Sequence, residues 1–356
     1  MKALCIYAGP LARKHIAREG LRPQDIRVIP GAAGGPKGLI LGPLDRLIFG
    51  EWLARSSQPI DLVGASVGAW RLANACLNDA VAASESFEHG YIYQEYEIPP
   101  GQKRLSARQL SEQFRIGLHA SYHGRIAQVL CHPRYRLHVV TAHGRHILGR
   151  EGVARTPVGY LGAFIANSVR RRSMGAWLER VVFSTPGAVL PFATHDFRTR
   201  QVVLSEANFE LALRASCSIP FLFTAVHDIP GAPPGAYWDG GITDYHLHLD
   251  YGGGEGIVLY PHFQRAVVPG WLDKGFKRRH RPTSFLDRMV VLAPDPEWVR
   301  ALPNAKLPDR TDFTRYGNDH AARAADWGRA ATEARRLAEE FAQWLERPDP
   351  AVVRPL

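Results

Sequence analysis

The sequence predicts an α/β chain with a three-layer α/β/α core, a mainly parallel central sheet and a C-terminal amphipathic helix. Three observations carry that expectation. Between residues 26 and 77, short apolar runs end in glycine-rich turns and lead into helical patterns, twice in succession. Further short apolar runs recur through the rest of the chain. Near the C-terminus an apolar stripe repeats at helical spacing. With 356 residues, of which 46% are hydrophobic and 22% charged, the chain is long enough to bury a substantial core in one large domain. The division expected is residues 1–315 for that domain and 316–356 for a helix and tail packed on it.

Residues 3–7 read as a short strand and 10–21 as a helix. Residues 26–29 form a short apolar run before the cluster Gly31-Ala32-Ala33-Gly34-Gly35-Pro36-Lys37-Gly38, and read as a buried strand. Leu41, Leu44, Leu47 and Ile48 give residues 39–52 helical spacing. Residues 60–63 read as a second buried strand ending at Gly64, and 67–77 as a helix rich in small residues. Two strand–turn–helix units in a row imply a parallel sheet with helices on both faces. Both glycine turns then fall on the carboxyl edge of the sheet, where active sites of such folds collect. Residues 80–135 carry helical pieces and many aromatics. Strands are expected at 136–142, 181–183, 201–204, 256–260 and 289–292, and a helix over the apolar run 158–169. From 319 to 346 a single amphipathic helix is expected, its stripe made by Trp327, Ala331, Ala334, Leu337, Phe341, Trp344 and Leu345.

The net charge of +10 suits nucleic acid, anionic lipid or plain solubility. No zinc-finger spacing and no aromatic–basic RNA motif is present, so nucleic acid is not expected as a partner. No apolar run reaches the length of a spanning helix, and the N-terminal apolar stretch is too short for a signal peptide. The four cysteines, Cys5, Cys76, Cys131 and Cys217, lack Cys-x-x-Cys spacing and read as small buried hydrophobes. A reducing, cytoplasmic setting is expected, with peripheral membrane contact as an addition to it. Neither a metal nor an organic cofactor is called for. Oligomeric state is not legible.

Chemistry gathers in three segments. Ser66 sits in Gly64-Ala65-Ser66-Val67-Gly68, between a strand and a helix. A serine hydroxyl needs a nearby base to act as a nucleophile. Flanking glycines allow the sharp strand-to-helix turn that exposes the hydroxyl beside a helix N-terminus. The cluster from Gly31 to Gly38 can aim backbone N–H groups at a developing oxyanion. It is not a Walker loop, because Gly38 and Leu39, rather than Ser or Thr, follow Lys37; the dinucleotide spacing is also absent. A tight turn without chemistry is the plain alternative. The third segment, Tyr237-Trp238-Asp239-Gly240-Gly241, reads on its own as an acidic turn.

Taken in order, the segments resemble the patatin-like phospholipase family. That family carries a glycine-rich oxyanion loop ending Gly-Gly-x-Arg-Gly, then Gly-x-Ser-x-Gly, then Asp-Gly-Gly or Asp-Gly-Ala. Here they are Gly34-Gly35-Pro36-Lys37-Gly38, Gly64 to Gly68, and Asp239-Gly240-Gly241. A fourth block, Ala215-Ser216-Cys217-Ser218-Ile219-Pro220-Phe221-Leu222-Phe223, is similar to the family's Ala-Ser-x-x-Ile-Pro-x-x-Phe run. The resemblance spans residues 26–263 in short blocks. It implies a Ser–Asp dyad: Ser66 as nucleophile and Asp239 as its base. Gly34, Gly35, Lys37 and Gly38 become the oxyanion loop, and Gly64 and Gly68 the nucleophile elbow. The implied reaction is lipid acyl ester hydrolysis of phospholipase A or lysophospholipase type, through an acyl-enzyme. The chain departs from the pattern in three places. Ala32-Ala33 replace the family's Asp-Gly, Lys37 replaces its arginine, and Asp244-Tyr245-His246 follow where Asn-x-Pro is common.

Two other readings stand beside this one. A Ser-His-Asp hydrolase, an esterase or thioesterase, could recruit His246, His248 or His262. A non-catalytic lipid-binding module could retain the fold alone. The pair His246 and His248 lacks a third ligand at metal spacing. The basic run 274–281, with Trp271 nearby, suits an anionic lipid surface or a solvated loop. By position alone, residues 87–169 are candidates for an acyl pocket or a lid.

Overall fold

The computed structural model describes residues 1–95, 105–252, 254 and 256–356. Among them, eleven strands join one sheet. They are β1 (Leu4–Ala8), β2 (Ile26–Gly31), β3 (Ile60–Ala65), β4 (Tyr135–Gly144), β5 (Leu178–Ser184), β6 (Thr199–Val203), β7 (Val226–His227), β8 (Ala236–Asp239), β9 (Ile257–Pro261), β10 (Met289–Pro294) and β11 (Arg354–Pro355). The order is β11-β1-β10-β9-β2-β3-β4-β5-β6, with β8 paired to β4 and β7 to β8. The middle run, β10 through β4, is parallel. β1 and β5 turn antiparallel at its two sides. The fold is therefore mixed α/β, with a mostly parallel central sheet flanked by helices.

Continuous burial marks the middle strands. Every residue of β3, β9 and β10 is buried, while the edge strand β6 is largely exposed. Strands buried at successive residues are covered on both faces, which is why they read as unbroken apolar runs rather than alternating ones.

Three expectations are corrected. The segment 39–52 is helical but not one α-helix. A 3-10 segment Gly35–Leu41 leads into an α-helical turn Gly42–Leu47 and a π-helical one, Ile48–Trp52. Pro43 lacks the N–H that an uninterrupted helix would use, and starts the α-helical part instead. The C-terminal stripe occupies two helices, His320–Glu333 and Arg335–Glu346, meeting at Ala334. The first buries Trp327 and Ala331 against Leu39 and Ile92; the second buries Leu337 and Phe341 in the main core. Each large side chain so buried contributes roughly 1.5–3 kcal/mol. Third, Asp239 closes a strand, β8, where the sequence suggested only a turn.

Among the described residues, no helix is long and apolar enough to cross a membrane. The stretch 87–169 is helical up to Ile92, again over Ala107–Tyr122, and over Arg155–Val169. Its residues 96–104 lie outside the described residues.

Candidate active site

The register of β4 explains how two distant residues meet. β5 occupies one edge of β4 from His138 to Gly144. β3 and β8 must therefore share the other edge. Ala65 pairs with Val140, and Asp239 with Thr141, the next residue along. The end of β3 and the end of β8 thus abut on a single rail. Ser66 Oγ donates to Asp239 Oδ2 at 2.7 Å, across 173 positions of sequence. Asp239 Oδ1 accepts the Gly241 N–H at 2.7 Å.

Ser66 has φ 56° and ψ −133°, a strained conformation for a side-chain-bearing residue. It begins the helix Val67–Ala75. The flanking glycines are there for closeness. A Cβ on Gly64 would lie 2.3 Å from Ala69 Cα, and one on Gly68 would lie 2.0 Å from the Gly31 carbonyl oxygen. The helix could not seat against β2 with any other residue.

Ser216 locks the elbow. Its fully buried hydroxyl accepts the Ser66 N–H at 2.9 Å and donates to the Val140 carbonyl at 2.7 Å. The same segment binds the end of β8: Asp239 N–H donates to Ser218 O, and Gly240 N–H to Ser216 O. The run from Ala215 to Phe223, noticed in the sequence only as a likeness, is therefore the clamp that fixes both members of the pair. On the other side, Arg71 of the Ser66 helix makes a bidentate, buried ion pair with Asp45, at 2.7 and 2.6 Å. This ties the helix to the segment that follows the glycine loop.

Ser66 and Asp239 are each 5% exposed, yet both reach the wall of a cavity of about 220 Å³. Gly34, Gly35 and Lys37 also line it. Gly35 has φ 57°, which glycine adopts without strain. Gly38 is placed differently: it is buried, facing Val67 and Arg71, and is not on the cavity wall. Ile219, Pro220, Ile242 and Trp271 give the wall an apolar side. Lys274 and Arg310 face the cavity as well, and no motif in the sequence singled them out for it. Their one advance signal was the basic run that contains Lys274.

Burial pushes the Asp239 carboxyl up to about 6, even though the Ser66 hydroxyl, the Gly241 N–H, Arg310 and Lys274 all favour its charged form. Burial, and then the charges of Arg310 and Lys37, push Lys274 down to about 8. A carboxylate poised near 6 is matched to accepting and returning a proton near neutral pH.

The histidines are elsewhere engaged. His246 Nδ1 lies 3.1 Å from both Ala266 O and Val268 N, and burial holds the ring well below its usual range. His248 contacts Val267 O and Thr283 Oγ1. His262 contacts Gln264, and burial pushes it down to about 3. Among the described residues, no histidine hydrogen-bonds Ser66 or Asp239, and no group of three His, Cys, Asp or Glu is placed to hold a metal ion.

Asp244, where the sequence departs from the resembled pattern, is a buried anchor. Arg180 clamps it with two bonds of 2.7 Å, and Arg171 approaches at 3.3 Å. The loop behind Asp239 is thereby fixed by ion pairs.

No family model matches this chain, and no curated protein matches its sequence. Among solved structures, the crystal structure of VipD from Legionella pneumophila is similar at a TM-score of 0.35 and 12% identity, over 89% of this chain and 67% of that one.

Proposed function

We propose that the protein is a serine hydrolase of patatin-like type that cleaves carboxylic esters of lipids through a Ser66–Asp239 dyad. The observation that carries this is the 2.7 Å bond from the Ser66 hydroxyl to the Asp239 carboxylate, whose proton affinity burial raises. Ser66 Oγ attacks the ester carbonyl as Asp239 accepts the proton. Negative charge develops on the carbonyl oxygen beside the loop of Gly34 and Gly35 and the N-terminus of the Val67–Ala75 helix. The intermediate collapses, and Asp239 returns the proton to the departing alcohol. Water, deprotonated by Asp239, then attacks the acyl-enzyme, and Asp239 returns that proton to Ser66 Oγ as the acid leaves.

The test is hydrolysis of p-nitrophenyl esters of graded chain length. Ser66→Ala is expected to lower kcat by about a thousandfold or more. Asp239→Asn is expected to do the same, and His246→Ala to have no comparable effect on kcat. Loss in His246→Ala as well as in Ser66→Ala would move the reading to a histidine triad. An inactive wild type, unlabelled by an active-serine fluorophosphonate, would remove catalysis altogether.

The same reading includes peripheral contact with an anionic lipid surface. The helix Arg155–Val169 exposes Val158, Leu161, Phe164, Ile165 and Val169. Phe276, from the basic run, stacks on Phe164 at 6.0 Å. An apolar face edged by cations is the composition that binds such membranes. Arg279 is not free for lipid, because Asp273 and the carbonyls of Asn167 and Ser168 hold it. Lys277, Arg278 and Arg281 are exposed. Reversing those three charges is expected to weaken binding to phosphatidylglycerol vesicles. Unchanged binding would exclude this contact.

A further inference from the structure

Three cations line the cavity that holds Ser66: Lys37 from the glycine loop, Lys274 from the basic run, and Arg310 from just before the helix Thr311–Tyr316. They come from segments far apart in sequence, so their meeting is a product of the fold. Among the described residues, none of the three has a carboxylate within 4.0 Å of its charged nitrogens. Some buried cations elsewhere are answered by carboxylates: Arg71 by Asp45, Arg171 by Asp273, Arg180 by Asp244.

The two carboxylates on the same wall do not answer the cavity cations. Asp239 is occupied by the Ser66 hydroxyl and the Gly241 N–H. Asp309 is taken up by Lys306 Nζ at 2.9 Å and by Thr311. Each of the two lysines faces an aromatic ring. Lys274 Nζ sits 4.1 Å from the centre of the Tyr245 ring, and Lys37 Nζ 5.3 Å from that of Phe263. Ring faces hold an ammonium in place without neutralising it. Burial first, and then the charges of Arg310 and Lys37, depress the basicity of Lys274, so the three charges sense one another across the cavity.

We propose that the cavity is an acid-selecting subsite: it takes esters bearing a phosphate or carboxylate, which Lys37, Lys274 and Arg310 hold while the ester carbonyl lies at Ser66. The proposal rests on the serine-hydrolase reading for the ester and adds the charge of the substrate. An anion entering the cavity relieves the mutual repulsion and gains charge-assisted hydrogen bonds, with the guanidinium of Arg310 offering a planar fork. Neutral esters gain neither.

Two substrate pairs distinguish where the acid resides. p-Nitrophenyl hemiglutarate against p-nitrophenyl butyrate places it on the acyl side. Butyryl glycerol 3-phosphate against monobutyryl glycerol places it on the alcohol side. In at least one pair, kcat/KM is expected to favour the acidic ester by about 10- to 100-fold, the worth of one or two hydrogen bonds between charged groups. Lys274→Glu and Arg310→Ala are expected to lower that acidic-to-neutral ratio at least about fivefold, and Lys274→Arg to keep it. A ratio near one in both pairs, or one that survives both substitutions, overturns the subsite. A readout without turnover separates this from the reaction itself. Inorganic phosphate, titrated into Ser66→Ala by calorimetry, is expected to bind, and to bind more weakly when Lys274→Glu is added. Phosphate binding with no ester cleaved keeps the anion site and removes the hydrolase. Neutral esters cleaved with no phosphate bound does the reverse.

Discussion

Asp239 and Asp244 lie in one short stretch of chain, and both are buried, yet they are treated in opposite ways. Asp244 receives guanidinium groups from Arg180 and Arg171. Asp239 receives a hydroxyl and one backbone N–H and, among the described residues, no cation within ion-pair distance. A carboxylate enclosed by guanidinium groups has its charge balanced, and acts as a fixed point. A carboxylate enclosed by weaker donors holds its proton more tightly, and Asp239 is accordingly pushed up to about 6 by burial. The same side chain is a peg in one place and, in the proposed dyad, a base in the other, and the difference lies in the partners.

Exchanging each for its amide should separate the two roles. Asp239→Asn is expected to abolish ester turnover by about a thousandfold or more, with little loss of stability, because it removes a poorly compensated charge. Asp244→Asn is expected to show the opposite balance. It leaves Arg180 with Asp196 and Arg171 with Asp273 but removes the buried charge they share, and should cost up to about 3–5 kcal/mol in urea unfolding, the scale for breaking a buried pair. Equal effects of the two substitutions on stability would erase the contrast. A smaller effect is expected at the clamp. Ser216→Ala removes two buried hydrogen bonds, for about 1–3 kcal/mol, and lowers kcat without raising KM, since only the elbow is disturbed. The smallest effect concerns pH. Asp239 must be ionised to take the Ser66 proton, so log kcat/KM rises with pH below about 6 and levels off above it. Lys274 and Arg310 favour the charged carboxylate, so Lys274→Ala should move that limb to higher pH. A limb unmoved by the substitution would mean that the two groups do not sense each other.

Much of this site was legible in the sequence because its backbone requirements leave a chemical signature. The glycines at 64 and 68 are needed for close approach, and only one residue type meets that need. The alternation from residue 26 to residue 77 likewise revealed a parallel sheet buried on both faces. The partner was harder. β8 is four residues long and pairs with a strand almost a hundred positions away, so Tyr237 to Gly241 presented only its two glycines and resembled a turn. Lys274 and Arg310 carried no signature of their own, because a cation on a cavity wall is spelled like one in solvent. The break at Ala334 was silent too. Alanine favours helix, and the two C-terminal helices part because their stripes seek different apolar clusters.

The shared edge of β4 has a consequence for how this protein can change. The spacing between Ser66 and Asp239, the proposed nucleophile and base, is set by one peptide unit, Val140 to Thr141, and not by the long excursion of chain that separates them. Loops and helices within that excursion, apart from the segment that carries Ser216 and Ser218, are free to lengthen or shorten while the pair keeps its distance. A single residue inserted into β4 at that point would part the pair by the rise of a strand, about 3.3 Å, and silence the site without touching either residue.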